Sequence, residues 1–430
     1  MARIDNILRW KRYLSVRFIA AKVKDKGHIK CIYAFWHKYS SAPDMSTRQI
    51  FIVRIIRAVL CRIRKIIRMT KWVYNITYSP IRFSKQGDSR LLIVYDLSSQ
   101  PFSIGDILTF QEVSLVLREK YKVNLVDFAL VYNPQNPAIP HPAFSYITKD
   151  NYTYNLVPIL QVAQVNEYLG SLFLFNSHTH LESFIADNNH RYYVWPKGID
   201  YIKKEYPYYK IFNEILYDYY NKNKRIPHLQ SRTHLLNWGH SFLLDNVFPS
   251  IPITVQIRNN PVSKSRNLCM ENWFDFFSHC NKTYPAKFII ICSEAEIDER
   301  LRPHPNVLIS KDFQTNIEKE LALINVSAFH MGASSGPGMM ALFSDKPFLI
   351  VNTDLIPSLH PLMYKNILSK QGDYIRFCFS NSLQNFISGV ETTEILIREF
   401  KKMWTSLDTS YWKKIKEKSY SGNDIQSLLR

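Results

Sequence analysis

The chain has 430 residues, 46% of them hydrophobic, with 12 Gly and 21 Pro. That is enough for two domains with sizeable cores, and it excludes a low-complexity chain. The net charge of +19 is uneven, since residues 1–87 hold 20 Lys or Arg against 3 Asp or Glu while the other 343 hold 35 against 33, so a binder of nucleic acid over its whole surface is excluded and no nucleic-acid partner is expected.

The first 32 residues are repeatedly interrupted by charge, which argues against a signal peptide. No apolar stretch approaches the ~20 residues needed to span a bilayer. Arg48 to Trp72 reads as a helix. Ile52, Ile55, Ile56, Val59, Ile63 and Ile66 share one face, with Arg54, Arg57, Arg64, Lys65 and Arg68 opposite. Such a helix lies in the plane of an anionic membrane surface, or packs its Ile face on the body with Arg outside. The six cysteines form no Cys-x-x-Cys pair, a pattern of thiols in a reducing compartment. The expected location is the cytoplasm, peripheral on the inner face of the membrane.

Leu91 to Leu97 is a buried strand, Asp106 to Tyr121 a helix and Val123 to Val131 a second strand, a βαβ opening. Asp106 stands at the helix start, where a carboxylate caps free amides. Residues 133–160 are Pro-rich and read as a long loop beside a cleft. Leu172 to Asn176 is a strand, and Ser177–His178–Thr179–His180 a loop at its end. His178 and His180 are there either for acceptor or phosphate contact or for structure, with no partner at metal-ligand spacing. The tyrosines between 206 and 220 read as half-buried packing or as a sugar platform. Phe248 to Pro252 is the expected hinge.

Ile253 to Ile257 opens the second domain. Its following loop carries Arg258, Lys264 and Arg266 at a strand's C-terminal end, either gripping a diphosphate or solvated. Lys287 to Cys292 is the next strand. Glu294 and Glu296 after it either accept hydrogen bonds from sugar hydroxyls or start a solvated helix. Val326 to Met331 is a strand, Gly332 to Gly336 a turn with Ser334 or Ser335 near a helix N-cap, Met339 to Phe343 a short helix and Phe348 to Val351 a strand. Free amides and a positive helix end at this turn suit a phosphate. Helices are expected at 392–404 and 410–419.

Ser334–Ser335–Gly336–Pro337, then Lys346–Pro347 and a strand, together with Gly105–Asp106–Ile107–Leu108 after the first strand, resembles the GT-B fold glycosyltransferases. The likeness is to the ADP-heptose lipopolysaccharide heptosyltransferases and related bacterial surface-polysaccharide glycosyltransferases. It covers roughly residues 91–131 and 250–352. Two departures stand out: Ser334 replaces an Asp frequent in that family, and Gly338 looks inserted. The resemblance implies an α/β GT-B fold of two Rossmann-like domains facing a cleft, here 88–248 for the acceptor and 249–430 for the nucleotide-sugar donor, behind a basic helical segment at 1–87. It implies Asp106 as general base on the acceptor hydroxyl. Arg258, Lys264, Arg266, Glu294, Ser334, Ser335, Gly336 and Gly338 would hold the donor, and His178 and His180 the acceptor. The expected partners are a nucleotide-sugar, a glycan or glycolipid acceptor and an anionic membrane surface, with no cofactor and no metal. A sugar-nucleotide epimerase of the same fold and a non-catalytic membrane-docked scaffold are the alternatives. The epimerase would not need the basic amphipathic segment.

Residues 48–72 predict liposome binding that requires anionic lipid and weakens with salt, each basic residue contributing about 1 kcal/mol near the surface. Co-sedimentation checks this, and equal binding to neutral vesicles at high salt contradicts it.

Overall fold

The computed structural model describes residues 89–98, 100–133, 146–196, 210–260, 264–353 and 366–407, all within the compact unit Lys85–Arg430. The basic segment at 1–87 and the helix expected at 410–419 lie outside the described residues. Among the described residues, no helix is long and apolar enough to cross a membrane.

Two mainly parallel sheets organise the chain, the α/β arrangement expected of a GT-B fold. The first has four strands: β1 (Arg90–Asp96), β2 (Val126–Val131), β3 (Leu169–Phe175) and β4 (Tyr192–Trp195), in the order β3-β2-β1-β4. All neighbours are parallel. Every residue of β2 is buried, as is Leu91 through Asp96 of β1, because a parallel sheet is covered on both faces. The helix α1 (Ile104–Tyr121) starts at the N-cap Ser103 and ends at Lys122 in the left-handed region. Residues 107–117 of α1 are buried without a break, so this helix lies inside the molecule rather than on it. Its polar residues are tied down accordingly: the Gln111 Nε2 donates to the Ala163 carbonyl at 2.8 Å, and the Asn166 Nδ2 donates to the Ser114 Oγ at 3.0 Å.

The stretch expected as a loop at 133–160 is corrected in part. Helix α2 (Tyr152–Ala163) occupies its end with Pro158 inside. Its buried Tyr152, Leu156, Ile159 and Val162 keep helical spacing, and packing against α1 outweighs the local cost of the proline. The Ser-His-Thr-His stretch is likewise not a loop. Ser177 caps helix α3 (His178–Asp187) by accepting from the His180 amide at 3.3 Å. A π-helical turn at 210–216 leads into α4 (Tyr217–Asn223). Tyr219 there donates to the Glu119 carboxylate, and Tyr220 meets Phe379 edge-on, as half-buried packing requires.

The second sheet has eight strands in the order β10-β11-β12-β9-β8-β5-β6-β7. These are β5 (Ile251–Gln256), β6 (Ala286–Ile291), β7 (Val307–Ile309), β8 (Phe329–Ala333), β9 (Phe348–Val351), β10 (Leu368–Gln371), β11 (Tyr374–Phe377) and β12 (Gln384–Ile387). The last three run as an antiparallel meander whose β12 joins β9 in parallel. Ile251 and Pro252 of the expected hinge lie inside β5. On one face α5 (Thr233–Asn246) packs Phe242 and Leu243 against Leu323 and Val326 of α7 (Ile317–Val326). On the other, α6 (Met270–Thr283) and α9 (Thr393–Thr405) bury an aromatic cluster in which Phe276 meets Phe400 at 5.5 Å. Leu396, Phe400 and Met403 of α9 face that cluster at helical spacing.

One apolar cluster joins the two halves. It runs from Leu91, Ile93 and Phe110 through Met340 to Phe343 of the short helix α8 (Gly338–Leu342) and its C-cap, to Ile350 and Phe386. The tightest backbone constraint is Gly332 in β8. Its φ is +137°, and a Cβ there would lie 2.3 Å from the Gln256 carbonyl oxygen of β5. Gly332→Ala is therefore expected to destabilise by about 3 kcal/mol or more, combining overpacking with backbone strain. Denaturant unfolding measures this, and a loss under about 1 kcal/mol contradicts it.

Candidate functional site

The C-terminal ends of β5 and β6 and the turn after β8 border a cleft of about 1020 Å³, which the start of α1 and one side of α2 close from the first half. From the first half it is lined by Phe102, Ser103 and Ile104 at the start of α1 and by Tyr154, Pro158 and Gln161 of α2. From the second it is lined by Gln256, Arg258 and Arg266, by residues 291–296 after β6, and by Ser335, Gly336 and Pro337 after β8. Strand C-terminal ends between two α/β halves are where ligands of such folds bind.

The two motifs read from the sequence meet here, backbone against backbone. A Cβ on Gly105 would lie 3.3 Å from the Gly336 Cα. A Cβ on Gly336 would lie 2.8 Å from the Ile104 Cβ and 2.9 Å from the Gly105 amide nitrogen. Gly336 is thus required by the approach of α1, a protein contact, on the side its Cβ would occupy.

The turn 334–338 is split in its exposure. Ser334 is anchored, its amide donating to the Val351 carbonyl at 3.2 Å, and it is absent from the cleft lining. Ser335 lines the cleft, and its Oγ is buried with no hydrogen-bond partner among the described residues. Gly338 is buried beneath the sheet, where a Cβ would lie 2.9 Å from the Ile350 Cδ1, so it faces the core. Helix α8 is five residues long with Pro337 at its N-cap. Its dipole is correspondingly small, and any anion here depends on individual amides and on the arginines.

Those arginines are set by the loop after β5. The Asn267 side chain closes it, accepting from the Asn260 amide at 2.9 Å and donating to the Asn260 carbonyl at 3.0 Å. The Asn352 Nδ2 holds the Asn267 carbonyl at 2.8 Å, and the Leu268 amide donates to the Arg258 carbonyl at 3.2 Å. Arg258 and Arg266 both face the cleft, whereas Lys264, between them in sequence, is exposed and outside the lining. Glu294 is exposed on the cleft wall. Glu296 is used structurally: it completes a capping box with Ser293 and accepts from the Asn259 amide at 3.1 Å.

Two lining residues carry no signal in the sequence. The Lys311 ammonium lies 2.9 Å from the Glu320 carboxylate, which also accepts from the Ser310 Oγ at 2.7 Å and the Thr315 Oγ1 at 3.2 Å. Burial raises the Glu320 carboxyl above its ordinary range, opposed by Lys311. The Lys311–Glu320 pair is nearly self-neutralising, and the other charged lining residues are Arg258, Arg266, Glu294 and Glu296. Among the described residues, no three His, Cys, Asp or Glu side chains gather as a metal site.

Asp106 lies in the first turn of α1, and the N-cap is Ser103, whose Oγ accepts from the Asp106 amide at 3.4 Å. Its neighbours Ser103 and Ile104 line the cleft. At the C-terminal end of β1, Asp96 is buried, and its Oδ2 lies 2.6 Å from the His178 Nε2. The Asp96 Oδ1 accepts from the Ser98 amide and hydroxyl at 2.9 and 2.7 Å. A buried carboxylate thereby orients an imidazole across the end of the first sheet. The partner of His178 was not legible, because 82 residues separate the two. His180 turns to Asn176 at 2.7 Å on the exposed cap of α3, and neither histidine is among the cleft's lining residues.

No family model matches the sequence, and no curated protein does. Among solved structures, the chain is similar to the ADP-heptose LPS heptosyltransferase II of E. coli, at 10% identity and a TM-score of 0.42, over 74% of this chain and 99% of that one. It is similar to a glycosyl transferase family 9 protein of Veillonella parvula, at 11% identity and a TM-score of 0.43, over 75% and 100%. It is also similar to a putative UDP-N-acetylglucosamine 2-epimerase of Listeria monocytogenes, at 8% identity and a TM-score of 0.34, over 74% and 88%. Likenesses this loose carry no activity across, and the chemistry of the cleft rests on its own residues.

The geometry separates two variants. Arg258→Ala is expected to weaken nucleoside diphosphate binding by roughly 10- to 100-fold, through lost charge-assisted hydrogen bonds of about 1.5–3 kcal/mol. Gly336→Ala is expected to lower the melting temperature by several degrees, because its Cβ displaces the start of α1. Calorimetry and thermal unfolding of both variants check this. Unchanged affinity in Arg258→Ala, or unchanged stability in Gly336→Ala, contradicts it.

Proposed function

We propose that this chain is a GT-B glycosyltransferase that moves a sugar from a nucleotide-sugar donor to a membrane-bound glycan or glycolipid acceptor in surface polysaccharide biosynthesis. The observation that carries the reading is the meeting of Gly105 and Gly336 at a cleft that Arg258 and Arg266 also line. In this reading Asp106, in the first turn of α1 and not itself among the lining residues, acts beside the donor held by these arginines.

In the proposed reaction the donor diphosphate lies against Arg258 and Arg266, with the Ser335 hydroxyl and turn amides beside it. Asp106 removes the acceptor proton as the acceptor oxygen attacks the anomeric carbon. The carbon–phosphate oxygen bond breaks and the electron pair leaves with the nucleoside diphosphate. A single displacement inverts the anomeric centre. The two guanidinium groups offset the charge of the leaving group, so the scheme calls on no metal. Glu294 stands on the wall for a sugar or ribose hydroxyl. The exposed Tyr154 and the rest of α2 border the side left for the acceptor. The membrane-bound acceptor and peripheral docking on the inner membrane face rest on the segregated basic and Ile faces of residues 48–72.

Thermal shifts against a panel of nucleoside diphosphates and CMP test the donor class, since a ligand at 100 times its Kd adds about 2.7 kcal/mol of stability. For the base, Asp106→Asn keeps the Ser103 cap and the side-chain shape but removes the proton acceptor. Turnover is expected to fall about 10²–10⁴-fold while donor affinity and melting temperature hold. Near-wild-type turnover would end the role of Asp106 and leave the base unidentified, with His178 and His180 the next candidates to test.

A further inference from the structure

The edge of the second sheet where β8 and β9 begin, opposite to the cleft, holds a second cavity of about 460 Å³. Lys346, Ser327, His240 and His228 line it together with one acid, Asp345, and apolar walls that include Leu236 and Val326. Lys346 is half-buried beside the start of β9, and its ammonium makes no hydrogen bond or ion pair among the described residues. Burial lowers its pKa below the ordinary lysine range, opposed only by the charge of the exposed Asp345. Burial, then the charge of Lys346, lowers that of His240. Ser327 is fully buried, and its Oγ has no partner among the described residues. A half-buried cation whose one acidic neighbour is the exposed Asp345 and a buried donor without an acceptor are both costly, and one anion relieves both.

We propose that this cavity binds a small soluble phosphate or phosphomonoester. The Lys346 ammonium pairs with the anion, the Ser327 hydroxyl donates to it, and the imidazoles of His240 and His228 complete the shell. An ammonium, a hydroxyl and two imidazoles offer more donors than a carboxylate's two oxygens engage at once, and they match the three or four oxygens of a phosphate. The volume left over and the apolar walls admit an organic group attached to it. The site is separate from the cleft and holds whatever the cleft's reaction is.

Inorganic phosphate is the probe, and the readout is local, because Arg258 and Arg266 would also attract phosphate. The imidazole of His240, assigned by NMR with His240→Asn, is titrated in phosphate and in chloride at equal ionic strength. Phosphate is expected to raise its midpoint by about one pH unit, as an added anion favours the charged imidazole. Lys346→Gln is expected to abolish the rise. Ser327→Ala, a small change at a group with no partner to lose, is expected to weaken the phosphate dependence about two- to tenfold without loss of folding. An equal midpoint in phosphate and chloride overturns the proposal. So does a full rise in Lys346→Gln, or an unchanged phosphate dependence in Ser327→Ala.

Discussion

The cleft depends on one close approach of main chain to main chain, Gly105 at the start of α1 against Gly336 before α8. A side chain on Gly336 would lie within 3 Å of the other half's atoms, so the spacing is fixed by the absence of a Cβ. The contact also explains why α1 is buried along most of its length: it belongs to the first sheet by sequence and to the joint by packing. Ser103–Ile104 and Ser335–Pro337 become neighbours as a consequence, and the ends of β5 and β6 open onto the same space as the start of α1.

Charge is distributed on that frame by pairing. Lys311 is committed to Glu320, and Glu296 to the loop holding Arg258. The guanidinium groups of Arg258 and Arg266 face the cleft from either side of the contact between Asn260 and Asn267, and Glu294 faces it from the loop after β6.

Much of this frame was legible because buried parallel strands read as unbroken apolar runs: Leu91 to Leu97, Lys287 to Cys292 and Phe348 to Val351 all fall on strands within one or two residues. The meander β10 to β12 was not legible. Its strands are four residues each, and β10 is mostly exposed, so neither length nor apolar alternation marks them. Helix α2 was hidden by Pro158, whose local signal points to a loop while Leu156, Ile159 and Val162 pack inward. Gly336 was singled out by type, but the reason for it lay more than 200 residues away in sequence, where no pattern reaches. A separation of 82 residues likewise hid Asp96 from His178.

The central claim is that Arg258, Arg266 and the 335–337 turn hold a nucleoside diphosphate. A crystal structure of the full chain with ADP or UDP at saturating concentration tests it most directly. The account predicts phosphate oxygens at hydrogen-bond distance, about 3 Å, from both guanidinium groups, with the terminal phosphate toward Ser335. A nucleotide bound elsewhere, or a cleft left empty at saturation, would contradict it.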